Sequence, residues 1–112
     1  MRSTRPWLPL LLLTLALAAT TARAADVEIP ITIEKNRFVP SEIKVKAGTP
    51  FVLVVTNKDA TPEEFESKDL RIEKVIPGGK TMKISVRALK AGTYSFVGEY
   101  HEATARGRII AE

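Results

Sequence analysis

Apolar residues recur at every second position through most of this chain. Val27, Ile29, Ile31 and Ile33 alternate with polar or small residues, and Ile43 and Val45 alternate with Glu42, Lys44 and Lys46. That period of two predicts strands with one buried face. Residues 51–55, FVLVV, form a continuous apolar run short enough for a strand covered on both faces. Further short strands are predicted over 72–76, 82–86, 94–96 and 108–111. Pro40-Ser41, Gly48-Thr49-Pro50, Pro77-Gly78-Gly79 and Ala91-Gly92 punctuate them as turns. The stretch 61–69 holds the one plausible helical turn and reads as a loop. Seven short strands at this spacing predict an all-β antiparallel sandwich.

Residues 1–24 follow a different pattern. Arg2 and Arg5 precede an apolar run over 8–19, and Ala22-Arg23-Ala24 supplies a small-x-small cleavage site. These features predict a secretory signal peptide and a mature domain over 25–112. The apolar run is shorter than the roughly 20 residues that span a bilayer, so the segment is read as a cleaved leader and not as a membrane anchor, and the mature chain is not expected to span a membrane. Periplasmic location is the corresponding expectation. The only tryptophan, Trp7, would leave with the leader, so the exported protein would fluoresce from tyrosine alone.

Composition then removes several kinds of chemistry. Without Arg2, Arg5 and Arg23, the 17 basic residues fall to 14, against 13 acidic ones. A balance of one charge gives nucleic-acid binding no electrostatic support. There is no cysteine, so thiol nucleophiles, iron–sulfur clusters and copper–thiolate centres are excluded. No Ser-His-Asp arrangement or phosphate-cradling glycine loop emerges, and the expected role is not enzymatic. The candidate chemistry collects around the single histidine, His101, with Glu99 and Glu102 beside it and Glu63, Glu64 and Glu66 on a second acidic segment.

The strands resemble those of cupredoxins, the small copper-binding sandwiches. FVPSEIKVKAGTPFVLVVTN, residues 38–57, is similar to the opening F-x-P-x-x-I-x-V-x-x-G and the buried strand ending in Asn. The PGGK turn at 77–80, the strand after it and AGTYSF at 91–96 follow in the same order. Within the superfamily the chain looks most like the small exported EfeO-type cupredoxin-like domains, several of which are associated with bacterial iron-permease or copper-handling systems. The resemblance implies a Greek-key sandwich and an iron or copper uptake system as partner.

It also implies where ligands would stand. The first histidine of the family falls at Glu63, the cysteine at Gly98, the second histidine at His101, and the methionine at Ala105 or Arg106. Only His101 keeps the family residue, so a blue copper centre is not expected. The remaining candidate ligands are Glu63, His101, Glu99 and Glu102, with Tyr100, Arg106 and Glu66 as neighbours or partner contacts. One imidazole with carboxylates suits Cu(II), Fe, Mn(II) or Zn. Met82 sits in a strand and is expected in the core. Arg106 is expected to pair with Glu63 or Glu99 and compete with a metal. Two functions stay open: a metal-binding or accessory component of an iron or copper uptake system, and a metal-free adaptor that docks a partner through the former ligand end.

Overall fold

The computed structural model describes residues 27–112, together with isolated positions 3, 4, 6 and 9. The expected signal peptide over 1–24 therefore lies almost wholly outside the described residues. Nine strands follow in order: β1 Val27–Glu34, β2 Arg37–Val39, β3 Glu42–Val45, β4 Phe51–Asn57, β5 Glu63–Ser67, β6 Ile72–Ile76, β7 Thr81–Val86, β8 Gly92–Gly98 and β9 Arg106–Ala111. A short 3-10 turn, Glu99–His101, links β8 to β9. No described helix is long and apolar enough to cross a membrane.

The strands form two sheets, ordered β2-β1-β4-β7 and β3-β9-β8-β5-β6. The fold class is the sandwich expected, but the sheets are mixed and not purely antiparallel. β1 runs parallel to β4 with Ile29 beside Leu53, and β3 runs parallel to β9 with Ile43 beside Ile109. Parallel neighbours need long connections, and the chain supplies them by crossing between sheets. Two strands beyond the expected seven account for the rest of the difference. β2 is only three residues long, joined to β1 through Lys35 and Asn36, both at positive φ (53° and 57°). A two-residue turn of that geometry usually carries Gly, so nothing in the sequence marked it. β5 is EEFES, whose glutamates hid the alternation of Glu63, Phe65 and Ser67 against Glu64 and Glu66.

The inner faces meet in one core. Ile31, Ile33, Leu53, Val55 and Ile84 come from one sheet, and Phe65, Ile76, Phe96 and Ile109 from the other. Phe96 stacks on Phe65 at 5.0 Å between ring centroids, and Phe38 packs edge-on to both. The Phe96 ring also covers Gly107, its cross-strand neighbour, where a Cβ would collide with the ring. β4 is interior to its sheet, yet Val52 and Val54 remain half-buried, so its second face is only partly covered. Tyr94 is half-buried and donates its hydroxyl to Lys90 O at 2.8 Å, while Met82 packs against the core as expected. Lys44 stands exposed on β3, an edge strand, where a charge discourages pairing with another sheet.

Candidate ligand end and acidic face

One end of the sandwich gathers the segments that carry the candidate ligands. Asn57, fully buried at the end of β4, organises the approach to β5. Its Nδ2 donates to Thr61 O at 2.9 Å and Ile76 O at 3.1 Å, and its Oδ1 accepts from Asp59 N at 3.0 Å. Asp59 in turn accepts the backbone N–H groups of Lys35 and Asn36. Thr104, in the loop after His101, donates its hydroxyl to Asn36 O at 2.6 Å. The β1–β2 turn, the loop before β5 and the loop before β9 are thus tied together.

Glu63 opens β5 with 1% of its surface exposed. Its Oε1 accepts the backbone N–H groups of Glu64 and Tyr100, each at 3.0 Å. Its Oε2 lies 2.5 Å from Nδ1 of His101. An ionised carboxylate only accepts, so Nδ1 donates and a neutral His101 carries its lone pair on Nε2. The His101 side chain is 28% exposed, against 1% for Glu63. Glu63 thus orients His101 from inside, with all its contacts made within the protein.

Gly98 and Ala105 complete the convergence. Gly98 N donates to Ala105 O, and Ala105 N to His101 O, both at 2.8 Å. A Cβ on residue 98 would stand 2.6 Å from Glu63 Cδ and 2.7 Å from the Ala105 Cβ. All four family ligand positions therefore meet, with Ala105, fully buried, at the methionine position. Arg106 is exposed and turns back to donate from Nε to Glu102 O at 2.7 Å. The expected pairing of Arg106 with Glu63 or Glu99 is not formed, because residue 106 begins β9 with its side chain outside. A type 1 copper centre does not fit these residues. The thiolate is missing, and the Glu63 carboxylate takes the space of its side chain.

The other candidate ligands lie apart from that pair. Glu99 joins Glu64 and Glu66, offering three carboxylate oxygens that all lie within 4.8 Å of one another. Glu64 and Glu66 share the outer face of β5, and Glu66 stands directly opposite Glu73 on β6. Hydrogen bonding of its protonated form to Glu73, then to Glu99, followed by burial, pushes Glu64 up from 4.5 to about 7. Burial and then the charges of Glu99 and Glu73 raise Glu66 as well. Loss of water around its phenol, followed by the charge of Glu64, raises Tyr100, although the residue as a whole is 48% exposed. Glu102 lines a shallow groove with Glu66, Asp69 and Val97. Sequence reasoning placed Glu64 on a loop and passed over Glu73; the parity of EEFES was the signal that could have found the outer face.

Comparison with known proteins bears on the fold and the family. A protein of Rickettsia prowazekii (strain Madrid E), RP394, is 41% identical over 83 residues, covering 74% of this chain and 66% of its own length. The chain thus spans a little under two thirds of that relative. Auracyanin A, a "blue" copper protein from Chloroflexus aurantiacus, superposes with a TM-score of 0.67 at 17% identity, over 78% of this chain and 99% of its own. A copper-binding protein solved in its apo form gives 0.67 at 23% identity, over 76% and 86%. These identities speak for the fold alone. The family described as "Cupredoxin-like domain" matches residues 8–111, and the protein belongs to it.

Proposed function

We propose that this protein is an exported, periplasmic cupredoxin-like domain of the EfeO type that binds a metal through nitrogen and oxygen donors. In this reading it serves an iron or copper uptake system as a binding or accessory component and performs no catalysis. The observation that carries the proposal is the 2.5 Å contact between Glu63 Oε2 and His101 Nδ1. A carboxylate on one ring nitrogen is the common support of a metal-ligating imidazole, because it fixes the tautomer and raises the basicity of the other nitrogen. Nε2 of His101 is then the ligand, and Glu63 positions it. A Cu(II), Fe or Mn(II) ion bound there would supply a Lewis-acidic centre with no copper–thiolate bond.

Titration of Cu(II) into the exported chain and its His101→Ala variant tests the proposal. Wild type binds and the variant loses most of the affinity, and binding weakens on acidification because protons compete with the metal for the ligating nitrogen. Equal isotherms remove His101 as a ligand. Intact mass beginning at Ala25, with tyrosine-only fluorescence, tests export; a tryptophan band means that the leader is retained.

The second reading is a metal-free adaptor. Glu63 fills the former ligand space, and Tyr100 on the adjoining turn is 48% exposed, which favours docking of a partner protein there. Negligible Cu(II) affinity in wild type, with partner binding lost in Tyr100→Ala, supports it.

A further inference from the structure

On the outer face of β5, separate from the His101 pair, stands a group of carboxylates that form no ion pair with a lysine or arginine among the described residues, although the charge of Lys68 acts on Glu66. Glu64 and Glu66 project from the same side of the strand, Glu99 reaches over from the 3-10 turn, and Glu73 lies across from Glu66 on β6. Like charges directly opposite on neighbouring strands repel, and here they face each other where a lysine would have been the stabilising choice. Among the described residues the lysine and arginine ion pairs are Lys44–Glu112, Lys83–Glu28 and Arg108–Glu42, and none involves these four glutamates.

A second observation concerns Glu64 alone. The residue is 7% exposed, and its Oε1 is buried without a hydrogen-bond partner among the described residues. A buried carboxylate oxygen without a protein donor is costly, and proteins retain such groups where water, a proton or a cation completes them. The same carboxylate belongs to the group whose oxygens lie within 4.8 Å of each other. Oxygens on opposite sides of a calcium ion stand about 4.6–5.2 Å apart, twice the bond length, and cis pairs stand closer. The spacing therefore admits one ion between the three.

We propose that Glu64, Glu66 and Glu99, with Glu73 as an outer neighbour, form an oxygen-only site for a hard divalent cation such as Mn(II) or Ca(II). Carboxylates without imidazole or thiolate select hard ions over Cu(I) or Zn(II). The site lies across β5 from Glu63, and it stands or falls independently of metal binding by His101. A cation there ties the 3-10 turn to β5 and β6, holding the segment that presents His101 and Tyr100.

The test uses the full exported chain, freed of metal by chelator and dialysed, with Mn(II) followed by electron paramagnetic resonance and Ca(II) by thermal shift. Wild type binds one Mn(II) with a dissociation constant below 1 mM, on the order of the weaker protein carboxylate sites. Glu64→Gln and Glu99→Gln each weaken Mn(II) at least about tenfold, while Glu28→Gln, at a surface pair on β1, matches wild type. Both Gln variants keep the shape of the side chain and remove a repulsion, so their melting temperatures without metal equal or exceed that of wild type, and the shift on adding Ca(II) disappears. Absence of Mn(II) and Ca(II) binding in wild type overturns the proposal, as does wild-type affinity in both Gln variants. Loss of Mn(II) in His101→Ala with retention in Glu64→Gln also overturns it and leaves the imidazole reading standing. Retention in His101→Ala with loss in Glu64→Gln supports the outer site.

Discussion

The carboxylate of Glu63 occupies the space that a side chain on Gly98 would need, with Glu63 Cδ 2.6 Å from the position of the absent Cβ. Side chains at these two positions, where the resemblance places ligands, thus compete for one space. A side chain at 98 therefore requires the Glu63 carboxylate, and the Ala105 methyl beside it, to shift.

That competition has a measurable form. Gly98→Ala should cost about 1–3 kcal/mol by overpacking. In a Glu63→Ala background the same change should cost less, with a coupling of about 0.5–3 kcal/mol between neighbouring sites. Glu63→Ala alone strands Nδ1 of His101 and two backbone N–H groups, so it destabilises on its own account. Urea unfolding of the four proteins gives the cycle; strict additivity would mean that the space is not shared.

Asn57→Ala removes three hydrogen bonds from a fully buried site. The expected loss is about 2–4 kcal/mol, because buried partners are left unsatisfied. Hydrogen exchange at Asp59 N should quicken more than at the β1–β4 ladder, which isolates the loop effect from global unfolding.

Leu53→Ala probes the core in the same units. Leu53 is 0% exposed on the interior strand β4, and truncation should cost about 2–5 kcal/mol through lost burial and the cavity left behind. A domain of this size holds only about 5–10 kcal/mol in total, so a fall in the urea midpoint should be large and expression should drop. A midpoint equal to wild type would contradict the register of β4.

The acidic face predicts a pH dependence of stability in chelator. Glu64 is raised from 4.5 to about 7 in the folded protein, so the native state holds a proton that the unfolded chain releases. Stability from this group is fully present below about 4.5 and is lost as pH rises through about 7. The melting temperature should therefore decline from pH 5 to pH 8, and Glu64→Gln should flatten that decline. A profile that rises over this window would contradict the crowding of Glu64 against Glu73 and Glu99.

Much of the sandwich was legible because alternation exposes which residues face inward: Ile31, Ile33, Ile43 and Val45 sit where their parity placed them. What stayed hidden were the parallel pairings of β1 with β4 and β3 with β9, since parity says nothing about strand direction. β5 was hidden for another reason. Its inward positions are Glu63, Phe65 and Ser67, and two of those three are polar. The meeting of Glu63 with His101 followed from family resemblance, while the division of the remaining glutamates between two faces needed the strand itself.

Asn36 O and Thr104 Oγ1 are 68 residues apart in sequence and 2.6 Å apart in space, and Asp59 clasps the same turn from the other side. This knot makes the end of the sandwich preorganised: the loop after His101 is already fixed when a ligand arrives. Ordering a flexible loop costs about 1–2 kcal/mol per residue, and here that entropy is lost during folding and not during recognition. Affinity at this end is therefore sensitive to residues that never approach a ligand. A change at the Lys35–Asn36 turn or at Asp59 would loosen the far loop and weaken whatever it holds, chiefly through faster release.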